Sequence, residues 1–162
     1  MQRIIAGKGY VSQTSITRPA DTTAYTAGDV VGATAAAITF ADIGPTFGVV
    51  SITDADLRID VAAVPAGMTS FRLHLYDATP PSALADNAAW DLPAGDRASY
   101  LGYIDLGSPV DVGATLFVQT TGTGAKTIQL KTSSLFGYLV TNAGFTPGSA
   151  AVKTIRLSLM GA

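Results

Sequence analysis

Residues 54–61 alternate strictly, and that alternation limits the fold more than any other feature. Ala55, Leu57, Ile59 and Val61 share one face, while Asp54, Asp56, Arg58 and Asp60 share the other. A repeat of two fits an extended strand with one buried face and does not fit a helix. The pattern returns in Phe71, Leu73 and Leu75 against Arg72, His74 and Tyr76. It returns again in Ile155, Leu157 and Leu159 against Thr154, Arg156 and Ser158. Upstream, Val50 and Ile52 have the opposite parity to Ala55 and Leu57. A strand over residues 47–64 must therefore bend or bulge near Thr53.

Helix has little to build on. All 12 acidic residues are Asp, which favours turns and caps, and Glu is absent. With 17 Gly and 8 Pro, the balance favours strands joined by tight loops. A short apolar patch lies at residues 29–31, followed by an Ala-rich stretch ending in Ile38 and Phe40, and further strands are expected over residues 71–77, 100–106, 116–118, 128–131, 135–141 and 152–160. Turns are expected at Arg18-Pro19-Ala20-Asp21, Asp42-Ile43-Gly44-Pro45, Pro65-Ala66-Gly67, Gly107-Ser108-Pro109 and Thr121-Gly122-Thr123-Gly124. The one candidate for a helical turn is residues 82–89. Residues 9–18 read as an edge strand or an extended arm. The expected architecture is all-β: two packed antiparallel sheets forming a β-sandwich, a jelly roll, as one domain over residues 1–162 with residues 1–20 as a possible arm.

Between the strands at 71–77 and 100–106 lies a connection of Pro, Ala, Asp and Gly that holds the only tryptophan, Trp90. Loops of that length in a compact β domain tend to be functional or mobile. Trp90, Tyr100 and Tyr103 allow three readings. The tryptophan pins the loop to the sandwich, anchors a protein interface, or forms a platform for stacking sugars.

Catalytic sets are hard to assemble. Without cysteine there is no thiol nucleophile, disulfide or Cys-based zinc site. His74 is the only histidine and lies on a polar strand face, which suits a surface or interface position. The stretch Thr120–Thr127 has Thr120 and Ala125 where a phosphate loop needs glycine, and it runs toward a strand, so a hairpin turn is expected. Asp54, Asp56 and Asp60 are too spread along a strand for calcium, and Asp86, Asp91 and Asp96 read as loop acids. No enzymatic activity, metal or cofactor is expected. The opening MQRIIAGKGY is too short in apolar length for a signal peptide, and no run approaches a bilayer span. Cytoplasmic synthesis without membrane contact is therefore the expectation.

A net charge of −2 and pI of about 5.1 argue against nucleic acid as a partner. Charge is nonetheless segregated along the chain. Every Asp lies between Asp21 and Asp111, while Arg3, Lys8 and Arg18 precede them and Lys126, Lys131, Lys153 and Arg156 follow. If the ends meet, one basic and one acidic face would result.

The run Ile16-Thr17-Arg18-Pro19-Ala20-Asp21-Thr22-Thr23-Ala24-Tyr25, followed by Ala27-Gly28-Asp29-Val30-Val31, resembles the opening of small virion proteins of tailed bacteriophages. Residues 71–77 with Pro80 and Pro81, then Ala85-Asp86-Asn87, resemble the middle of the same proteins. The resemblance spans about the first two thirds of the chain, and its motifs carry no chemistry. It implies a head decoration (cement) protein: β-rich, homotrimeric, and bound to the major capsid protein on the capsid exterior. Residues 1–20 and the loop at 79–97 would then make the intersubunit contacts, with Arg3, Lys8, Arg18, Trp90, Asp91 and Tyr100 as candidate interface residues. The rival expectation is a carbohydrate-binding module of a phage tail or fibre.

Overall fold

The computed structural model describes residues 7–34 and 37–161, apart from the side chains at 122–125. Its strands are β1 (Gly9–Thr17), β2 (Ile38–Phe40), β3 (Val49–Ile59), β4 (Phe71–Tyr76), β5 (Tyr100–Leu106), β6 (Val110–Asp111), β7 (Leu116–Gln129), β8 (Leu135–Thr141) and β9 (Val152–Gly161). They form a large sheet in the order β1-β9-β3-β7-β6 and a small one in the order β2-β8-β4-β5.

The pairings are nested. β1 pairs with β9, β2 with β8, β3 with β7 and β4 with β5, all antiparallel. Such nesting is one long hairpin, with β4 and β5 at its tip, wrapped so that successive pairs land in alternate sheets. The β3–β9 and β4–β8 pairings close the wrap. This order of strands is a jelly roll, with β6 added at one edge.

Alternation places the core. Ala55, Leu57 and Ile59 of β3, Leu73 and Leu75 of β4, and Ile155 and Leu157 of β9 are almost fully buried in one cluster between the sheets. Each of the Leu and Ile side chains contributes about 1.5–3 kcal/mol relative to exposure. The parity change in β3 is a bulge, because the register against both β7 and β9 shifts between Ile52 and Asp54. One extra residue, Thr53, restores the inward set after the break.

Several expectations need correction. Thr120–Thr127 is not a hairpin turn between two strands. Lys126 faces Ile52 and Thr121 faces Asp54, so both flanks stay on β3 and the intervening residues form an excursion within β7. A glycine-rich insertion can leave a ladder and rejoin the same partner, and local turn signals do not tell this from a reversal. Residues 82–89 form turns with left-handed backbone at Ala83 and Asn87, and no helix occurs among the described residues. In the apolar patch at 29–31, Asp29 and Val30 make isolated bridges to Ala89 and Val140. Of the N-terminal segment, Gly9–Thr17 is an edge strand paired over its whole length with β9, so removing residues 2–18 would take a strand from the sheet. Residues 1–6 lie outside the described residues.

Gly137 on β8 shows how close the nested strands run. A Cβ built there would lie 2.7 Å from the His74 carbonyl oxygen on β4, a backbone atom that cannot move aside. Gly137→Ala is expected to destabilise the fold by about 1–3 kcal/mol. Gly9→Ala, with nothing within 4 Å, should stay within about 0.5 kcal/mol. Chemical denaturation of both variants checks this, and equal effects would contradict the packing described.

Candidate functional site

The outer face of the small sheet is aromatic. Outward from β4 point His74 and Tyr76, from β5 Tyr100 and Tyr103, and from β8 Phe136 and Tyr138. A surface so apolar needs a cover, and residues 77–99 supply it. This connection folds back and forms short backbone links with residues 28–33: Val30 N–H donates to Ala88 O at 2.8 Å, Asn87 N–H to Val30 O at 2.9 Å, and Trp90 N–H to Gly28 O at 2.9 Å. A second apolar cluster results, with Val30, Tyr76, Tyr138 and Val140 buried beneath Leu84, Trp90 and Leu92.

Trp90 is half-buried and packs within its own chain. Its ring stacks on His74 at 3.7 Å with 28° between planes, and its indole N–H donates to Tyr76 Oη at 3.3 Å. Tyr100 Oη lies 2.9 Å from His74 Nδ1. Burial first, and repulsion from Arg72 second, push the His74 imidazolium down from its ordinary 6.5 to about 4. Burial also raises the Tyr76 phenol to about 12. His74 is thus a neutral, sandwiched ring under a loop. One face of Trp90 is taken by His74, which leaves that face no room to stack a sugar. At the rim, Tyr103 is 45 % exposed, Arg72 lies over its ring at 4.8 Å, and Arg72 Nε bonds Asp105 at 2.8 Å.

The loop is also fixed by charge. Arg18, just past β1, has no exposed side-chain surface and bonds Asp86 of the loop at 3.3 Å and Asp21 at 2.9 Å. Asp86 further accepts from Tyr25 Oη at 2.6 Å and from Gly32 N–H at 2.9 Å. Lys153 of β9 is buried close by, and desolvation draws its ammonium down to about 8 despite the attraction of Asp86. Tyr25 is pushed upward by burial and by its bond to Asp86. Isolated strand and turn signals gave no hint of this cluster. Its trace in the sequence is a basic residue before Pro19 and one of several Asp in an Ala-rich loop.

The predicted interface residues therefore separate. Lys8 is exposed, 5.3 Å from the Tyr10 ring centroid, and Asp91 is exposed in the loop. Arg18 is not available to a partner, because its guanidinium is spent on internal carboxylates. Trp90 and Tyr100 belong to the aromatic layer, and Arg3 lies outside the described residues. The chain ends do meet, since β1 pairs with β9. No basic face follows from Arg18, Lys153 and Arg156, however, because the first two lie beside Asp86 and Arg156 pairs with Asp56. The loop acids do not converge: Asp86 is engaged by Arg18, Asp96 accepts from Ser82 N–H, and Asp91 faces solvent. Among the described residues no group of three or more Asp or His gathers as a metal site. A cleft of about 410 Å³ opens beside Phe47, Leu101 and Lys126, and its Lys131 is paired with Asp77 at 2.9 Å.

What remains distinctive outside is apolar. Val11 on β1, Met160 on β9, Phe47 before β3, and Val110 and Val112 at β6 are each about half exposed or more. They lie on the outer face and edges of the large sheet or at its ends.

No protein-family model and no curated protein sequence matches the chain. Among solved structures it is similar to the capsid of Ralstonia phage GP4, at 14 % identity and a TM-score of 0.48, over 100 % of this chain and 90 % of that one. It is similar to a lipoprotein of Bacteroides thetaiotaomicron at 12 % identity and 0.41, covering 96 % and 85 %. It is also similar to the BFDV capsid protein at 12 % identity and 0.32, covering 94 % and 99 %. Likeness at this level is one of general shape and carries no statement about activity.

The titration of His74 has a definite sign. The unfolded chain takes up a proton on His74 below about 6.5, and the folded chain does so only near 4. Stability should therefore fall as pH drops through that window, by about 3 kcal/mol, and level off below it. Thermal melts of the parent and His74→Gln from pH 7 to pH 4 check this, since the variant should lose that part of the slope. In the charge cluster, Asp86→Ala leaves the buried Arg18 with Asp21 as its remaining carboxylate and strips the Tyr25 hydroxyl and Gly32 N–H of their acceptor, and should cost about 2–4 kcal/mol. Lys153→Met should be neutral or stabilising by up to about 2 kcal/mol at pH 7. Urea denaturation of both separates these directions.

Proposed function

We propose that this chain is a structural virion protein that binds the outside of a capsid and stabilises the head, acting by contact and not by catalysis. The observation that carries the reading is the division of side chains. The histidine and the Arg18–Asp86 pair are consumed by internal packing, while Phe47, Val11, Met160, Val110 and Val112 stand outward on a rigid jelly roll. Enzymes need a polar group aimed at a cleft, whereas a cement protein needs a stiff body with modest apolar contacts multiplied by valency. The jelly roll is a frequent architecture of capsid and lectin domains. The resemblance of residues 16–31 and 71–87 to tailed-phage virion proteins favours the capsid over the glycan. So does the packing of Trp90 against its own sheet. A homotrimer belongs to this reading, because three-fold capsid positions offer matching symmetry.

Undecorated phage heads that carry the partner capsid protein are the test. The chain should co-sediment with them and raise the temperature at which they open. Val110→Asp combined with Val112→Asp, and separately Phe47→Asp, should weaken binding about tenfold or more while leaving the melting temperature nearly unchanged. Absence of co-sedimentation together with Trp90-dependent signal on a glycan array would overturn the reading in favour of the carbohydrate module.

A further inference from the structure

Sheet edges are templates for further pairing, and proteins blunt them by shortness, charge, proline or bulges. Three edges here are blunted. β2 has three residues and β6 has two. β5 is bulged against β4 between Leu75 and Tyr76 and presents Asp105 to solvent. β1 has none of these protections. It runs nine residues in unbroken register with β9, and from Gly9 to Thr17 it contains no proline and no charged side chain. Among the described residues, the backbone hydrogen bonds of Gly9–Thr17 all go to β9. Val11 stands 64 % exposed on this strand.

The geometry points to β1 as a pairing edge whose occupant is β1 of a second copy of this chain. A strand without charge can lie antiparallel to itself without opposing like charges. A two-fold axis through Gln13 uses all nine residues, setting Gly9 against Thr17 and Val11 against Ser15. The contact needs one surface only, as isologous dimers do. Across the large sheet, Gln119, Asp56, Arg156 and Gln13 form one cross-strand row. The axis extends that row symmetrically into a ten-stranded sheet and sets Ser15 of the second copy beside Val11, opposite its existing neighbour Ser158. Pairing of this symmetry closes at two copies, so it is separate from the three-fold contact of the proposed trimer. It stands whether or not the capsid reading does.

The chain has no cysteine, so single substitutions report the pairing directly. Directly opposed residues of an antiparallel pair have Cα atoms about 4.5–5.5 Å apart, within disulfide reach. Gln13→Cys is expected to give a covalent dimer under mild oxidation of dilute protein, whereas the exposed Val112→Cys stays single. Val11→Cys should cross-link with Ser15→Cys in a mixture, and neither with itself. No dimer from Gln13→Cys, or as much from Val112→Cys, overturns the proposal. So does a Gln13→Lys chain that loses capsid attachment while Gln13→Cys never cross-links, since the edge would then receive a capsid strand and not a second copy.

Discussion

Arg18 and Asp86 stand 68 residues apart in the chain and meet where water does not reach the guanidinium. Neither charge is tolerable there alone, so the pair ties the end of β1 to the middle of the β4–β5 connection. Tyr25 and the Gly32 N–H complete the shell around Asp86. The position of the loop follows from this tie, and so does the position of Trp90, four residues further on. Without the tie, the cover of the small sheet would rest on apolar contact and a few backbone links.

The consequence is a third layer. A jelly roll has one core between two sheets, and its outer faces ordinarily meet solvent. Here the small sheet is buried on both sides, because residues 77–99 lie over the ring set of His74, Tyr76, Tyr100 and Tyr138. The imidazole that looked like a surface group is almost fully buried and held neutral by desolvation. Chemistry that elsewhere serves catalysis is here part of the packing. The large sheet keeps an open outer face, whose cross-strand polar rows are bordered by isolated apolar side chains.

The rigid part of the molecule therefore also decides where contact is possible. Loops at one end are stapled down, three edges are short, bulged or charged, and the remaining long edge is neutral. Exposed apolar side chains lie on the large sheet's outer side and at its ends, while Trp90 of the long loop packs against the small sheet.

Much of the fold was legible in the sequence. Strict alternation over residues 54–61, 71–76 and 154–159 identifies strands, because side-chain direction reverses at every residue whatever the neighbours are. The parity change near Thr53 located the bulge for the same reason, and the lack of Glu with abundant Gly and Pro excluded helix. Those are local properties of a chain. The excursion at residues 122–125 was misread as a reversal, since a turn signal does not say which partner the chain rejoins. Arg18 was expected at an interface and Asp86 as a loop acid, and their pairing was not foreseen, since burial of a charge depends on a partner far away in sequence. By itself, the sequence determined an antiparallel β-sandwich. Only the tertiary structure decided that Trp90 packs on the small sheet and that Arg18, Lys153 and Arg156 lie beside loop and strand acids, because both depend on which distant segments the nested hairpin brings together.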